Sequence, residues 1–250
     1  MTTQNIYNLG FSKCGTSSIW QFFSGFPPTQ GKCFRAASGA IEFDLRRDLQ
    51  EDHKELLKEG GCFLKFSGAA FGANSIQSFH NIACSYGDPL YILSVRGSAQ
   101  VLRSWFNMHK KIAREGIAVD HFAVKEREKY LNISFDQYFH EFIDKVYYSS
   151  LIHTFAQRVY PCPVYILDFR RVHLGVSGVM GAFLEKYFPG VDYANTFPLI
   201  NKGIYEKSDI FDVSEEMVRR TDLIDAEFDS LLSNVDAIGA NCFIGHHCDC

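Results

Sequence analysis

The sequence predicts an α/β fold of three layers (α/β/α), in which helices cover both faces of a central parallel sheet. Three observations support this fold class. Four short apolar runs have the composition of buried strands, segments with helical spacing separate them, and turns with glycine or proline precede three of the four runs. Strands that alternate with helices form parallel sheets. We expect one domain, residues 1–250, with a peripheral tail from about residue 236 to 250.

The elements follow one another along the chain. The predicted strands are Asn5–Gly10, Gly61–Phe66, Leu90–Val95 and Val164–Phe169. Helical spacing covers Ile41–Lys58, Ala99–Arg114 and Phe135–Tyr160, the last as one long helix or a pair. In open parallel sheets ligands bind beyond the carboxyl ends of the strands, so we expect the functional site at that edge.

Composition and charge exclude several classes of protein. With 250 residues, 46% of them apolar, the chain can bury a full core. A formal charge of −4 argues against a protein that wraps nucleic acid or lies on an acidic membrane. The sequence has no signal-peptide pattern and no apolar stretch long enough to span a membrane. Eight scattered cysteines suit reduced thiols, so we expect a cytoplasmic protein.

The first motif lies directly after the first predicted strand. Residues 8–18 read NLGFSKCGTSS, which gives the order G-x-x-K-x-G-T-S-S, and a helical pattern follows from Ser18. A strand, a glycine turn and a helix N-terminus form an anion site, because backbone N–H groups and the helix dipole face one point. This P-loop-like strand–loop–helix differs from the usual nucleotide loop, whose lysine follows the second glycine. A glycine turn with a capping serine or threonine is the alternative.

The second motif lies at the third predicted strand. Residues 90–106 read LYILSVRGSAQVLRSWF, with Arg96 at the end of the strand and Ser104 in the second turn of the next helix. An arginine at that edge can bind a phosphate with two parallel hydrogen bonds, and a hydroxyl can add another. A surface arginine that closes a strand is the alternative. Together the two motifs indicate one extended ligand with two anionic groups.

The pair GFSKCGTSS and VRGSAQVLRS resembles the two cofactor motifs of the sulfotransferases that use 3′-phosphoadenosine 5′-phosphosulfate (PAPS). The resemblance runs from about Ile6 to Asn201. It implies that Lys13 contacts the 5′-phosphosulfate and that Arg96 and Ser104 bind the 3′-phosphate. It assigns the remaining donor-binding positions to Ser12, Cys14, Gly15, Thr16, Ser17, Ser18, Asn201 and Lys202. The product is 3′-phosphoadenosine 5′-phosphate (PAP), and no metal is expected.

The sequence departs from the family pattern at two places. Gly97-Ser98 stands where the family usually has Asp-Pro after the strand arginine, and Ser98 can cap the helix there. Cys14 stands in the loop where small residues are common. Its thiolate is stabilised if it faces Lys13 and the helix N-terminus, whereas a buried Cys14 is structural filler.

The general base is not evident from the sequence. Where cytosolic members of the family carry a histidine after the second strand, this chain has Ser67. Glu42 is the best-placed carboxylate before that strand, and Asp44 is its substitute. Lys65, at the end of the strand, is a candidate for assisting the leaving group or for binding an acidic acceptor. His80 and His109 are weaker candidates for the base.

Three functions follow from these patterns. The first is a sulfotransferase that acts on a hydroxyl or amine of a glycan, lipid or small molecule. The second is a catalytically inactive, sulfotransferase-like protein that binds the nucleotide. A kinase-like phosphotransferase is disfavoured, because Lys13 precedes Gly15 and only Asp168 resembles a magnesium-binding aspartate at a strand end. The terminal HHCDC lacks the ligand spacing of a zinc site.

Overall fold

The fold is α/β and is built on a parallel sheet, as the sequence predicts. The structure is a computed structural model that describes residues 4–10, 14–35, 51–65, 73–116, 122–169, 179–194, 213–234 and 242–244. Within these ranges, the strands are β1 (Ile6–Asn8), β2 (Cys33–Arg35), β3 (Phe63–Lys65), β4 (Leu90–Val95), β5 (Val164–Asp168) and β6 (Cys242–Ile244). They form one sheet in the order β2-β3-β1-β4-β5-β6, and every pairing is parallel.

The central position of β1 decides where its loop lies. Ile6 pairs with Phe63 of β3 on one side and with Leu90 of β4 on the other. Parallel pairing brings the carboxyl ends of the three strands to the same edge. The segments that follow β1, β3 and β4 therefore leave the sheet side by side.

Helices connect the strands. They are α1 (Thr16–Gly25), α2 (Glu51–Glu59), α3 (Ala73–Cys84), α4 (Ser98–Glu115), α5 (Phe122–Lys125), α6 (Arg127–Asn132), α7 (Phe135–Phe142), α8 (Tyr148–Val159), α9 (Val179–Tyr187) and α10 (Glu215–Ser233). Short 3₁₀ turns lie at Pro27–Thr29 and Ile143–Val146. None of the helices in the described ranges is long and apolar enough to cross a membrane.

Both faces of the sheet are covered, which produces the three layers. Alternate residues of a strand point to opposite faces, so Ile6 and Ile92 join one core while Tyr7 and Leu93 join the other. The first core receives apolar side chains of α1 and α9. The second, larger core receives α3, α4, α7, α8 and α10. Aromatic rings fill much of both, for example Phe23 stacked on Phe63 with ring centroids 4.2 Å apart.

The region Phe135–Tyr160 forms a pair of helices. Ser134 and Gln137 form a capping box at the start of α7. Their side chains accept hydrogen bonds from backbone N–H groups that have no partner within the first turn of a helix. The chain then passes through the 3₁₀ turn and resumes at Tyr148. Val146 and Tyr148 are both buried, but two residues apart on one continuous helix they would point to nearly opposite sides. The break lets both enter the core.

Other boundaries differ from the prediction by a few residues. The predicted strand Leu90–Val95 is correct at both ends, whereas β1, β3 and β5 are shorter than predicted. No local pattern predicted β2 or β6. Residues 242–244 were expected in a peripheral tail, and in the structure they form the edge strand beside β5. The helical pattern of Ile41–Lys58 falls partly outside the described residues, and its described part forms α2.

Candidate functional site

The candidate site lies at the carboxyl edge of the sheet, where the predicted phosphate-binding segments leave adjacent strands. β1 leads through the first motif to α1, and β3 ends at Lys65. β4 leads to Arg96 and α4, and β5 ends at Asp168. The strand order β3-β1-β4-β5 brings these four exits into one row.

Gly15 starts α1 in a conformation that favours glycine. It is the N-cap residue with φ 81°, and no side chain caps the helix there. Left-handed backbone angles are costly for residues with a Cβ. A Cβ at this position would also lie only 2.5 Å from the ring of Phe169. Glycine is thus favoured at this turn by its backbone angles and by its lack of a side chain, and the first N–H groups of α1 lie at this edge of the sheet, where an anion can accept from them.

Gly10 is needed for a close approach between the end of β1 and β4. A Cβ there would lie 2.6 Å from the backbone nitrogen of Ser94. The amide of Gly10 donates to Asn8 Oδ1 at 3.2 Å. Asn8 Nδ2 and Ser94 Oγ are fully buried and have no hydrogen-bond partner within the described ranges. Because buried polar atoms are ordinarily hydrogen-bonded, this pair fits a polar group bound at the loop.

Lys65 reaches from the end of β3 to the first turn of α1. Its Nζ donates to Ser17 Oγ at 2.8 Å, and the residue is only 7% exposed. Ser17 and Ser18 are half-buried, whereas Thr16 is buried. A mostly buried ammonium group therefore lies beside the N-terminus of α1. Both features attract an anion, and the low dielectric strengthens the attraction.

Arg96 follows β4 directly and is oriented by the next helix. Its Nε donates to Gln100 Oε1 at 2.7 Å, which leaves the terminal nitrogens of the guanidinium to form a two-pronged contact with an anion. Ser104 lies further along α4 and is half-buried. The two predicted residues thus share one strand–helix unit next to the first loop.

The N-terminus of α4 is capped by another helix. Gly97 is the N-cap residue, and it has no side chain to cap with. The amide of Ser98 donates to Asp225 Oδ1 of α10 at 3.1 Å, and Ser98 Oγ donates to the carbonyl of Thr221. Ser98 is therefore held by α10 and does not cap α4 itself. Asp225 thus takes up one N–H group of the first turn of α4.

Cys14 faces the core. It is fully buried, and its Sγ lies 3.8 Å from Tyr148 Oη. Burial raises the pKa of the Cys14 thiol to about 12, although the contact with Tyr148 and the charge of Arg96 lower it. The thiol is therefore protonated near neutral pH. Of the two roles considered for Cys14, this geometry favours structural packing.

The two histidines considered as weaker candidates for the base lie away from this edge. His80 is on α3 and bonds to Tyr91, the second residue of β4, through Nδ1 at 2.8 Å. It therefore lies toward the amino ends of the strands. His109 is buried in α4 and its Nδ1 contacts Tyr138 Oη at 2.7 Å. Neither is presented at the carboxyl ends of β1 and β4.

Five of the predicted site residues lie outside the described ranges: Ser12, Lys13, Glu42, Asn201 and Lys202. The substitute base Asp44 lies outside them too. Their roles stay predictions.

Sequence reasoning missed several residues that shape the edge. They are Asn8 and Ser94 beside Gly10, Phe169 against Gly15, and Asp225 at α4. Polar residues within otherwise apolar strands are the one signal that pointed to Asn8 and Ser94. Nothing local marks Asp225, because its contact joins residues far apart in the sequence.

Comparison with known proteins supports the architecture. No protein-family model and no curated protein matches the sequence. Among solved structures, the fold is similar to that in the crystal structure of a sulfotransferase from Alicyclobacillus acidocaldarius, with a TM-score of 0.51. The match covers 95% of this chain and 96% of that chain at 15% identity. At this identity the likeness concerns the fold.

Proposed function

We propose that this protein is a sulfotransferase that transfers the sulfuryl group of PAPS to a hydroxyl or amine of an acceptor. One observation carries the proposal: the N-terminus of α1, where Lys65 bonds to Ser17, follows β1, and Arg96 follows the adjacent strand β4. The two cationic groups, Lys65 at the end of β3 and Arg96 after β4, lie on either side of β1 and suit a nucleotide with a 5′-phosphosulfate and a separate 3′-phosphate. The similarity in fold to a sulfotransferase over 95% of the chain supports the same reaction class.

The first loop is proposed to hold the 5′ end of the donor. The N–H groups at the start of α1 donate to the anion, Ser17 and Ser18 add hydroxyls, and Lys65 adds a positive charge. We assign Lys13 to the oxygen that bridges phosphorus and sulfur. When the sulfur–oxygen bond to the phosphate breaks, negative charge grows on that oxygen, and a cation there lowers the barrier.

Arg96 and Ser104 are proposed to hold the 3′-phosphate. Gln100 fixes Nε of Arg96, which orients the guanidinium in advance and reduces the entropy lost on binding. Asp225 occupies the amide of Ser98, so that N–H group is not a contact for the 3′-phosphate in this proposal. Asn201 and Lys202 are proposed as further contacts on this side.

Acceptor activation requires a base that removes the proton as the new sulfur–oxygen or sulfur–nitrogen bond forms. Glu42 is our candidate, with Asp44 as its substitute. The acceptor is a glycan, a lipid or a small molecule. The protein needs no nucleic acid in this proposal, and we expect it to act in the cytoplasm.

Nucleotide binding tests the proposal before an acceptor is known. Unfolding temperatures are measured with PAP, with adenosine 5′-monophosphate, which lacks only the 3′-phosphate, and with ATP. We expect PAP to stabilise the protein most, by about 2.7 kcal/mol at a hundredfold excess over its dissociation constant. Equal shifts from PAP and the monophosphate contradict the assignment of Arg96 and Ser104.

Turnover then separates the enzyme from an inactive nucleotide-binding protein. PAPS is incubated with a panel of sugars, phenols, amines and lipid headgroups, and the release of PAP is followed. We expect PAP release that depends on one acceptor class. Tight PAP binding without release on a broad panel favours the inactive alternative, and a preference for ATP with magnesium favours a phosphotransferase.

A further inference from the structure

A second cluster of chemically reactive side chains lies at the opposite end of the sheet. His80 and Cys84 are one helical turn apart on α3, and Cys162 lies two residues before the start of β5. One ligand-type atom from each residue lies within 4.8 Å of the other two. These elements meet because α3 packs on α8, and α8 leads into the segment that contains Cys162.

The distances suit a tetrahedral metal ion. Cys84 Sγ lies 3.6 Å from His80 Nε2. Zinc–sulfur and zinc–nitrogen bonds of about 2.3 and 2.1 Å at a tetrahedral angle place the two ligand atoms about 3.6 Å apart. Cys162 Sγ lies within 4.8 Å of both Cys84 Sγ and a ring nitrogen of His80, so the second sulfur is already near the first. Neither cysteine is in a disulfide.

His80 has a partner on one ring nitrogen and a thiol beside its ring. Nδ1 contacts Tyr91 Oη at 2.8 Å, and Cys84 Sγ lies 3.7 Å from Nδ1 and 3.6 Å from Nε2. Ligation through Nε2 therefore requires the imidazole to rotate so that the Nε2 lone pair points to the thiols. Metal-binding histidines ordinarily have such a partner on the second ring nitrogen. His80 is buried, Cys162 is half-buried and Cys84 is exposed. The site is thus anchored in the core and open to solvent on one side.

We propose that His80, Cys84 and Cys162 bind a zinc ion, with water in the fourth position. Zinc prefers this set of imidazole and thiolate ligands. Both thiols lose their protons on binding. The ion ties α3 to the segment before β5 and stabilises the amino ends of β4 and β5. The site is separate from the proposed donor site and does not depend on the proposed function.

Cobalt spectroscopy and zinc titration test the site. The full chain is reduced, stripped of metal with a chelator and titrated with Co²⁺. We expect one equivalent to give the visible bands of a tetrahedral site and a thiolate-to-cobalt charge-transfer band, and Zn²⁺ to displace it. Zinc then raises the unfolding temperature of the metal-free protein.

Cys84→Ser is the decisive variant, because Cys84 is exposed and its replacement leaves the core intact. We expect it to weaken zinc binding by at least about 10²-fold and to abolish the zinc-dependent rise in unfolding temperature. Tyr91→Phe keeps all three ligands, and we expect a loss of about 10-fold. Cys33→Ser, on β2, and a Cys248→Ser/Cys250→Ser double variant in the tail are the controls, with unchanged binding.

Three outcomes overturn the proposal. The first is the absence of tetrahedral cobalt bands in the reduced protein. The second is wild-type zinc affinity in Cys84→Ser, and the third is the loss of binding in the tail variant alone. The proposal is also overturned if Cys84 and Cys162 form a disulfide in air and the reduced protein then binds no metal.

Discussion

Lys65 Nζ, at the end of β3, donates a 2.8 Å hydrogen bond to Ser17 Oγ in the first turn of α1. The contact joins a central strand to the helix that follows the first loop. The ammonium group is mostly buried, so little water screens it from an anion at the helix N-terminus.

Lys65→Met removes this charge and keeps most of the side-chain length. We expect weaker PAP binding and a turnover lower by about 10²–10³-fold, because a preorganised cation beside developing charge is lost. Ser17→Ala removes only the hydroxyl, and we expect a smaller loss. Lys58→Met, on the exposed part of α2, is the control with unchanged values. Isothermal calorimetry and steady-state rates give both quantities, and a wild-type turnover in Lys65→Met contradicts the role.

Gly15→Ala tests the start of α1. Gly15 and Gly31 have similar positive φ angles, 81° and 78°. Of these two glycines, an added Cβ would meet other atoms at Gly15, those of Phe169, and none within 4 Å at Gly31. We expect Gly31→Ala to lower the free energy of unfolding by about 1 kcal/mol and Gly15→Ala to lower it by more. Urea denaturation measures both, and equal losses argue against the packing of Phe169 on the loop.

Arg96→Ala tests recognition of the 3′-phosphate. We expect the dissociation constant of PAP to rise by about 10–100-fold, since a hydrogen-bonded charged group contributes roughly 1.5–3 kcal/mol. Adenosine 5′-monophosphate lacks the 3′-phosphate, so its affinity changes little. Arg103→Ala, on the exposed side of α4, is the matched control. If the affinities for PAP and for adenosine 5′-monophosphate fall by the same factor, Arg96 contacts a part of the nucleotide other than the 3′-phosphate.

The buried Cys14 predicts a loss of stability in alkali. Burial raises its pKa from 9.0 to about 12. Above pH 9 the thiol therefore loses its proton in the unfolded chain first, which favours unfolding. The stabilising contribution is complete below pH 9 and declines as the pH rises toward 12.

Cys14→Ala isolates this effect from other groups. Any cavity it creates costs the same at every pH, whereas the titration appears only in alkali. We expect the drop in unfolding free energy between pH 8 and pH 10.5, measured with urea, to be smaller in the variant. If both proteins show the same drop in unfolding free energy, Cys14 does not contribute to it. Other buried groups then cause the drop, such as Tyr7 and Tyr148, whose pKa values burial also raises.

Glu42→Gln tests the proposed base. The amide keeps the shape of the side chain but cannot accept a proton, so we expect unchanged PAP binding and a turnover lower by about 10²–10⁴-fold. Asp44→Asn is the companion variant, because Asp44 is the substitute candidate. If Asp44→Asn loses turnover while Glu42→Gln keeps the normal rate, Asp44 is the base that accepts the proton. Normal rates in both remove the pair from consideration.

Local pattern was sufficient for the main features of the fold. β4 was predicted at both ends because six buried residues lie between Pro89 and the turn at Gly97. The first motif predicted a helical pattern from Ser18, and α1 begins two residues earlier, at Thr16. β2 and β6 have three residues each, and so short a run contains no period that separates it from a loop.

Long-range contacts account for what the sequence did not reveal. The capping of Ser98 by Asp225 and the meeting of Cys84 with Cys162 join segments far apart in the chain. Their geometry depends on how α10 and α8 pack, and no local pattern encodes this. The contact of Lys65 with Ser17 is intermediate, since both residues were candidates but their bond follows from the parallel pairing of β3 with β1.

The central position of β1 also constrains the order of events during synthesis. Among these strands β1 leaves the ribosome before its partners β3 and β4, which emerge only after many more residues. Gly10 lies close to Ser94, and Gly15 lies close to Phe169. In a nascent chain the packing around β1 and Gly15 is therefore complete only after β5 has left the exit tunnel.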